Sequence, residues 1–308
     1  MAAYFSATSS AGARMRLAPA AATLESMSIA ALRRGSFLRE AGLVVIAILA
    51  YFLIRNLTAG SAGVAIANAQ RIVGVEHWGR IDWEDNLQAS LRGNDFLIML
   101  ANWIYIWGHW PVIVGTAIVL FFHRRDRYRL LRNALMVSGA IGFLLFAFFP
   151  VAPPRMLDLG LVDTVTEQSH SYRALQPPGL TNQYAAFPSL HFGWNVVVGI
   201  VLLTTTAHLA VRLFAVASPL AMGFAVVATA NHFVVDLVAG FIVVLVGLAV
   251  AYAIERQDRD ATLRQSGSAA RVEAHRRRAA PVSGRAPRGQ QSRRRTGSRA
   301  PPVHAPRG

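Results

Sequence analysis

Two ionisable side chains, His232 and Asp236, stand at the start of an apolar segment that is long enough to cross a membrane. Charged groups are costly at membrane depth and rarely face lipid, so the pair predicts a functional site. Their four-residue spacing places both side chains on one face of a helix. The carboxylate can then hydrogen-bond one imidazole nitrogen and fix the tautomer, which leaves the other nitrogen available as a nucleophile, a base or a metal ligand.

A second histidine, His191, stands in the same relation to another apolar segment and follows Pro188-Ser189-Leu190. Proline is favourable at a helix start, where the following backbone N–H groups and the Ser189 hydroxyl can bind an anion. From the first turn of this helix, His191 can donate a proton to a leaving oxygen. Two histidines at the mouths of two apolar segments predict a single site.

An arginine completes the set of candidate groups. Arg155 follows Pro153-Pro154 at the end of a third apolar segment, and its guanidinium is suited to bind phosphate oxygens bidentately. An arginine, a helix N-terminus with serine, a proton-donating histidine and a carboxylate-oriented histidine together predict phosphoryl transfer through a phosphohistidine. This chemistry needs no metal and no cofactor.

The composition predicts an all-α, polytopic membrane protein, because 54% of the 308 residues are hydrophobic and only 15% are charged. Cysteine is absent, which excludes disulfides, thiolate metal sites and a cysteine nucleophile. All basic residues other than histidine are arginine, which excludes lysine chemistry. A zinc site would need a third ligand, such as His109 or His170, for which the sequence shows no spacing rule.

Six stretches are long enough to cross roughly 30 Å of hydrocarbon as helices. Their approximate bounds are 41–57, 96–122, 133–149, 189–207, 209–229 and 232–254. The sequence therefore predicts a six-transmembrane-helix bundle over residues 41–254, with the first span kept as an uncleaved signal anchor. Residues 61–95 mix apolar and charged side chains, which indicates an interfacial helix or a small soluble cap.

Arginine placement predicts the orientation, since cytoplasmic segments are enriched in basic residues. Arginines are concentrated in residues 1–40, in the loop at 123–132 and in the tail at 255–308. We therefore expect both termini in the cytoplasm and the protein in the plasma membrane. His191 and His232 then lie at the outer ends of their helices, so the site is expected on the extracytoplasmic side.

The tail at 255–308 is rich in arginine, proline, glycine and serine, a composition that cannot bury a core and predicts disorder. Beside a membrane span, attraction to anionic lipid headgroups is the favoured role, at about 1 kcal/mol per arginine near the surface. An orientation signal without a partner is an equal alternative. Nucleic-acid binding is not expected, although the charge alone would permit it.

Three motifs occur in a fixed order among the predicted spans. They are Ala152-Pro153-Pro154-Arg155, Phe187-Pro188-Ser189-Leu190-His191 and Asn231-His232-xxx-Asp236. With these motifs the chain resembles the PAP2 (type 2 phosphatidic acid phosphatase) superfamily over about residues 96–252. It looks most similar to the branch that includes the fungal inositol phosphorylceramide synthases and is described as inositolphosphotransferase-like. The resemblance implies a bundle of PAP2 type.

The resemblance also implies roles for the candidate residues. His232 would be the nucleophile that takes up the phosphoryl group, Asp236 would orient it, and His191 would protonate the departing alcohol. Ser189 and Arg155 would hold the phosphate.

The chain departs from the wider superfamily at several positions. Ala225 and Val226 stand where that superfamily carries a Ser-Arg pair, and Pro-Pro-Arg replaces Arg-Pro in the first motif. Fewer phosphate-binding cations are therefore identified, and Arg173 in the same outer loop is a candidate replacement. Tyr105 and His109 resemble a recurrent feature of the inositolphosphotransferase-like branch and are candidate pocket residues.

The sequence thus predicts an integral membrane lipid phosphatase or phosphotransferase whose partners are the bilayer and a lipid phosphate or phosphodiester substrate. Water as acceptor would make it a phosphatase, and an alcohol would make it a transferase. One alternative is a non-catalytic lipid-binding or flipping protein that keeps the site as a pocket. Another is a transporter whose histidines relay protons. The intact histidines and their clustering at one face favour the enzyme.

Overall fold

The computed structural model describes residues 38–50, 52, 53, 62–168 and 182–279, and the described chain is helical. The helices are α1 (38–50), α2 (Ala62–Gly79), α3 (Glu84–Ala89), α4 (Asp95–Trp107), α5 (Trp110–His123), α6 (Arg125–Phe148), α7 (Thr164–Gln168), α8 (Leu190–Leu203), α9 (Leu209–Ala228) and α10 (Val234–Ala279). A short 3-10 helix covers Pro154–Met156. No strand occurs within these described ranges, which confirms the all-α class.

Three described helices are long and apolar enough to cross a membrane: α6, α9 and α10 over Val234–Ser268. The pair α4 and α5 gives a fourth if it is counted as one span, bent by 45°. The apolar helix α8 has 14 residues, which at about 1.5 Å per residue is shorter than the hydrocarbon core. The chain is a membrane protein, but the predicted count of six spans is not confirmed.

The predicted span at 96–122 is interrupted in the structure. Gly108 caps α4 by donating its N–H to the carbonyl of Ile104 at 2.8 Å. Pro111 lies in the first turn of α5, where it is tolerated because it lacks an N–H. The break places His109 at the bend between the two helices.

The last helix runs further than the sequence predicts. The sequence predicts that the span ends at Ile254 and that a disordered tail follows, whereas α10 continues to Ala279. Residues 255–279 contain mostly Ala, Arg, Gln and other good helix formers and no proline, so nothing stops the helix. The structure thus describes residues 255–279 as helical, and disorder stays a prediction for residues 280–308, which lie outside the described part of the chain.

The helix α2 packs against the loop that follows α6. Its buried residues repeat at helical spacing: Ala65, Asn68, Ala69, Ile72 and Glu76. The side chain of Asn68 donates a hydrogen bond to the carbonyl of Pro150 at 2.9 Å, and Ala65 accepts one from the N–H of Ala152 at 3.1 Å. The segment predicted as an interfacial helix or cap is thus tied to the loop that carries Arg155.

The arginine-rich stretch at 123–132, predicted as a loop, lies mostly in the first turns of α6, and the candidate site lies at the other end of that helix. At the Arg125 end, Tyr128 donates a hydrogen bond to Glu40 of α1 at 2.9 Å, and Arg132 forms an ion pair with the same carboxylate. At the other end, Phe148 leads into the loop at 150–157. A 24-residue helix is about 36 Å long, so the two features are separated by roughly the thickness of a bilayer core.

Candidate active site

A tight turn between α9 and α10 presents His232. Ala230 follows the end of α9 in the left-handed conformation, with a φ of 55°, and reverses the chain. The N–H groups of Asn231 and His232 then both donate to the carbonyl of Val226 at 3.0 Å. The turn leaves His232 buried directly ahead of α10, with 4% of its surface exposed.

The imidazole of His232 has two acceptors at the same nitrogen. Its Nδ1 lies 2.7 Å from the carbonyl oxygen of Ala186 and 3.3 Å from Oδ2 of Asp236. A carbonyl only accepts, so Nδ1 carries the proton in the neutral ring and Nε2 is left with its lone pair. Nε2 is therefore the atom of His232 that is available as a nucleophile.

Main-chain hydrogen bonds join the three motif segments. Val151 and Ala185 form an isolated parallel bridge, in which the N–H of Ala186 donates to the carbonyl of Val151 at 3.2 Å. The N–H of Ser189 donates to the carbonyl of Asp236 at 2.9 Å. These bonds explain how residues more than eighty positions apart in the chain occupy one site.

The second motif begins α8 beside this turn. Ser189 is fully buried and caps the helix, since its hydroxyl accepts a hydrogen bond from the N–H of Phe192 at 3.4 Å. His191 follows in the first turn, with its ring centroid 5.9 Å from that of His232. Two imidazoles at this separation can act on one phosphoryl group, one as nucleophile and one as acid.

The guanidinium of Arg155 is oriented by two side chains. Its Nε forms an ion pair with Oδ2 of Asp163 at 3.0 Å, and its Nη1 donates to the side-chain oxygen of Asn231. The N–H of Arg155 also donates to the carbonyl of Ala230 at 3.1 Å. Arg155 is thus fixed to the turn that carries His232.

The predicted pocket residues Tyr105 and His109 lie against His191. The ring of Tyr105 stacks on His191 at 4.8 Å between centroids, and the ring of His109 lies at 4.3 Å. The ring of Trp194 in turn stacks on that of His109, with 5.7 Å between centroids. These rings form an aromatic wall around the imidazole of His191.

The structure brings together seven of the predicted residues: Arg155, Ser189, His191, His232, Asp236, Tyr105 and His109. Arg173, predicted as a phosphate ligand, lies outside the described residues, as does His170. Within the described ranges, no group of three His, Asp or Glu side chains is arranged to hold a metal ion.

Sequence reasoning missed two buried glutamates. Oε1 of Glu84 accepts the N–H of Val234 at 2.9 Å, and Oε1 of Glu76 accepts the N–H of Val235 at 2.7 Å. The available signal was Glu76 itself, which falls on the apolar face of α2 at helical spacing from Ala65 and Ile72. An acid in such a stripe indicates a buried partner.

Glu76 lies outside the candidate spans, and its environment favours the protonated form. Burial raises the pKa of Glu76 to about 8. The neighbouring carboxyl groups of Glu84 and Asp236 act in the same direction, and the hydrogen bond from Val235 opposes them.

Comparison with known proteins identifies the family. The family described as the PAP2 superfamily matches residues 70–250, which is more than half of the chain. The chain belongs to the PAP2 superfamily. The match begins before the span at 96–122, so the PAP2 region includes α3 and most of α2, with both buried glutamates.

One solved structure is similar to this PAP2 chain. The crystal structure of LpxE from Aquifex aeolicus aligns with a TM-score of 0.43 and 17% sequence identity. The alignment covers 55% of the present chain and 92% of the LpxE chain. A search of the curated proteins gave no match.

Proposed function

We propose that the protein is a membrane lipid phosphatase or phosphotransferase that works through a phosphohistidine on His232. The observation that carries the proposal is the hydrogen bond from Nδ1 of His232 to Ala186, which leaves Nε2 as the nucleophile. Membership of the PAP2 superfamily supports the reaction class. The proposed substrate is a lipid phosphate or phosphodiester.

The reaction has two displacements. Nε2 of His232 attacks phosphorus, the bond from phosphorus to the lipid oxygen breaks, and protonated His191 gives its proton to that oxygen. Neutral His191 then takes a proton from water or from an alcohol, whose oxygen attacks the phosphohistidine and restores His232. Arg155 and the N-terminus of α8 at Ser189 stabilise the charge on the phosphoryl oxygens.

The acceptor distinguishes a phosphatase from a transferase, and an inositolphosphotransferase-like activity is the finer form of the proposal. The Pro-Pro-Arg loop with Arg155 and the aromatic residues Tyr105 and His109 beside His191 support this form. The same phosphohistidine serves both outcomes.

The test compares purified wild-type protein with His232→Ala on a panel of labelled lipid phosphates and phosphodiesters, with and without inositol or other alcohols. Mass spectrometry follows free phosphate and new phospholipid. His232→Asn is a second variant, of closer size and polarity, for the case in which His232→Ala fails to fold. His123→Ala is the matched control, because that histidine is exposed at the far end of α5. Product formation that survives both His232 substitutions would overturn the proposal.

The orientation belongs to the same proposal: both termini in the cytoplasm and the site on the extracytoplasmic side of the plasma membrane. Because the chain has no cysteine, single cysteines at Asp158 and Ser266, both exposed, can be labelled individually. We expect an impermeant maleimide to label intact cells at residue 158 only. Labelling of both positions from the same side would contradict the orientation.

The arginine-rich segment after residue 255 is proposed to bind anionic lipid headgroups. Flotation of a peptide covering 255–308 with vesicles is expected to require phosphatidylserine or phosphatidylglycerol and to be lost in high salt. Equal flotation with neutral phosphatidylcholine vesicles would contradict this role.

A further inference from the structure

Three carboxyl groups converge on the turn that follows His232. The N–H groups of three successive residues, Phe233, Val234 and Val235, each donate to a different carboxyl group. These carboxyl groups belong to Asp236, Glu84 and Glu76, in that order. Each bond is between 2.7 and 2.9 Å, so the first turn of α10 is held from three directions.

The acids come from three separate elements and are all buried. Glu76 lies on α2 with 1% of its surface exposed, Glu84 begins α3 with 7%, and Asp236 on α10 is fully buried. Among the described residues, none of the three acids is paired with an arginine, and the only basic side chain in contact is that of His232, whose Nδ1 lies 3.3 Å from Oδ2 of Asp236. Buried carboxylates without cations are costly, so the cluster must retain protons.

The negative charge around Glu76 also favours a proton on its carboxyl group. The carboxyl groups of Glu84 and Asp236 both act on Glu76, and neighbouring buried carboxylates without a cation cannot all ionise at low cost. Oδ1 of Asp236 is buried and has no partner within the described part of the chain, so this carboxyl group is also incompletely satisfied. A proton on the pair of glutamates relieves the repulsion while each keeps its main-chain donor.

We propose that Glu76 and Glu84 share one proton and are positioning residues for the nucleophile, because together they fix the turn that carries His232. This inference rests on the proposed function of His232. The glutamates do not reach the phosphoryl group; they act through the N–H groups of Val234 and Val235. Without them, two donors at a buried helix N-terminus would be unpaired, and His232 would lose its fixed distance to His191.

The shared proton makes the arrangement sensitive to alkaline pH. The groups that face Glu76 are Glu84 from α3, Asp236 from α10 and, through Asp236, His232 of the turn. The pKa of Glu76 rises on folding from 4.5 to about 8. Its contribution to stability is therefore complete below pH 4.5 and is lost as the pH rises through about 8. Above that pH the two carboxylates repel each other.

Glu76→Gln separates positioning from charge. The glutamine oxygen can still accept from Val235, its amide can donate to Glu84, and it cannot ionise. We expect Glu76→Ala to lower kcat at pH 7 by about tenfold or more with little change in KM, because small displacements of a reacting group are that costly. We expect Glu76→Gln to recover most of that loss and to move the alkaline decline of kcat to higher pH.

The measurements are kcat and KM between pH 6 and 10 and, separately, the melting temperature over the same range. Glu76→Gln is expected to flatten the fall of melting temperature between pH 7 and 9. The matched control is Asp85→Asn, which removes an exposed carboxylate adjacent to Glu84.

A wild-type alkaline profile in Glu76→Gln, or wild-type kcat in Glu76→Ala, would overturn the inference while His232 remains essential. If the proposed function is wrong, activity will instead be independent of His232. The melting curves test Glu76 and Glu84 separately, because they need no substrate.

Discussion

The carbonyl of Ala186 accepts a hydrogen bond from Nδ1 of His232 at 2.7 Å. The distance from Nδ1 to Oδ2 of Asp236 is longer, at 3.3 Å. The main chain of the second motif therefore fixes the tautomer of His232 in the third motif. Asp236 is left with another task, since its Oδ2 also accepts the N–H of Phe233 at 2.8 Å. The carboxyl group of Asp236 thus supports the turn that carries the imidazole.

Asp236→Asn should therefore be less harmful than removal of the nucleophile. In a Ser-His-Asp triad the same change costs about 10⁴-fold in kcat because the wrong tautomer forms. Here Ala186 still requires a proton on Nδ1, so we expect a loss of only about 10- to 100-fold, the range seen for carboxylates that orient metal-bound histidines. The measurement is kcat with the lipid phosphate of the panel on which the wild-type protein is most active. A loss as large as that of His232→Ala would show that Asp236, and not Ala186, sets the tautomer.

The ion pair between Arg155 and Asp163 predicts a residue outside the three motifs that matters for activity. Oδ1 of Asp163 caps α7 by accepting the N–H of Thr166, whereas Oδ2 faces Nε of Arg155. Asp163→Asn keeps the cap and removes the charge that orients the guanidinium. We expect kcat/KM to fall by about 10- to 100-fold, since hydrogen bonds to charged groups contribute about 1.5–3 kcal/mol.

The control for Asp163→Asn is Asp158→Asn, which removes an exposed carboxylate from the same loop. It is expected to leave kcat/KM at the wild-type value. If both variants lose activity equally, the effect is one of net charge in the loop and not of the contact with Arg155.

The all-α class, the membrane location and the meeting of the three motifs were predictable because each has a local sequence signal. Apolar runs identify membrane helices, and ionisable residues at their ends identify the site. His191 and His232 could be paired from these signals alone. The break at Gly108 was not foreseen, although Pro111 gave a local signal for it.

The contacts that hold the site in place were not predictable, because they join residues far apart in the chain. Glu76 meets Val235 across 159 positions, and Arg155 meets Asn231 across 76. The acceptor for His232 is a main-chain carbonyl, which any residue at position 186 would provide. The position of Glu76 on the apolar face of α2 indicates a buried partner, but no pattern in composition or periodicity says which residue that partner is. Only the packed structure identifies these contacts.

The left-handed turn at Ala230 predicts a narrow tolerance at that position. Residues other than glycine are strained at a φ of 55°, and a β-branched side chain more so. Ala230 is also fully buried. We expect Ala230→Val to lower the free energy of unfolding by about 2–3 kcal/mol, measured by thermal or denaturant melting in detergent.

Two variants bracket this expectation. Ala230→Gly should change stability by less than about 1 kcal/mol, because relief of strain offsets the loss of a buried methyl group. Ala253→Val, on the exposed face of α10, should cost no more than about 0.7 kcal/mol, the difference in helix propensity. If Ala230→Val is as stable as Ala253→Val, the turn does not constrain His232 in the way we describe.

Close packing of α8 and α10 gives the last prediction. A Cβ atom on Gly240 would lie 2.4 Å from the carbonyl oxygen of Ser189, so Gly240→Ala must push the start of α8 away from α10. Overpacking of this kind costs about 1–3 kcal/mol, and the displaced cap also moves His191 relative to His232. We expect Gly240→Ala to lower both the melting temperature and kcat.

The same change at Gly267 of α10, where no atom lies within 4 Å, should instead raise helix stability by roughly 0.5–1 kcal/mol and leave kcat unchanged. Equal behaviour of the two variants would mean that contact with Ser189 is not what requires glycine at position 240.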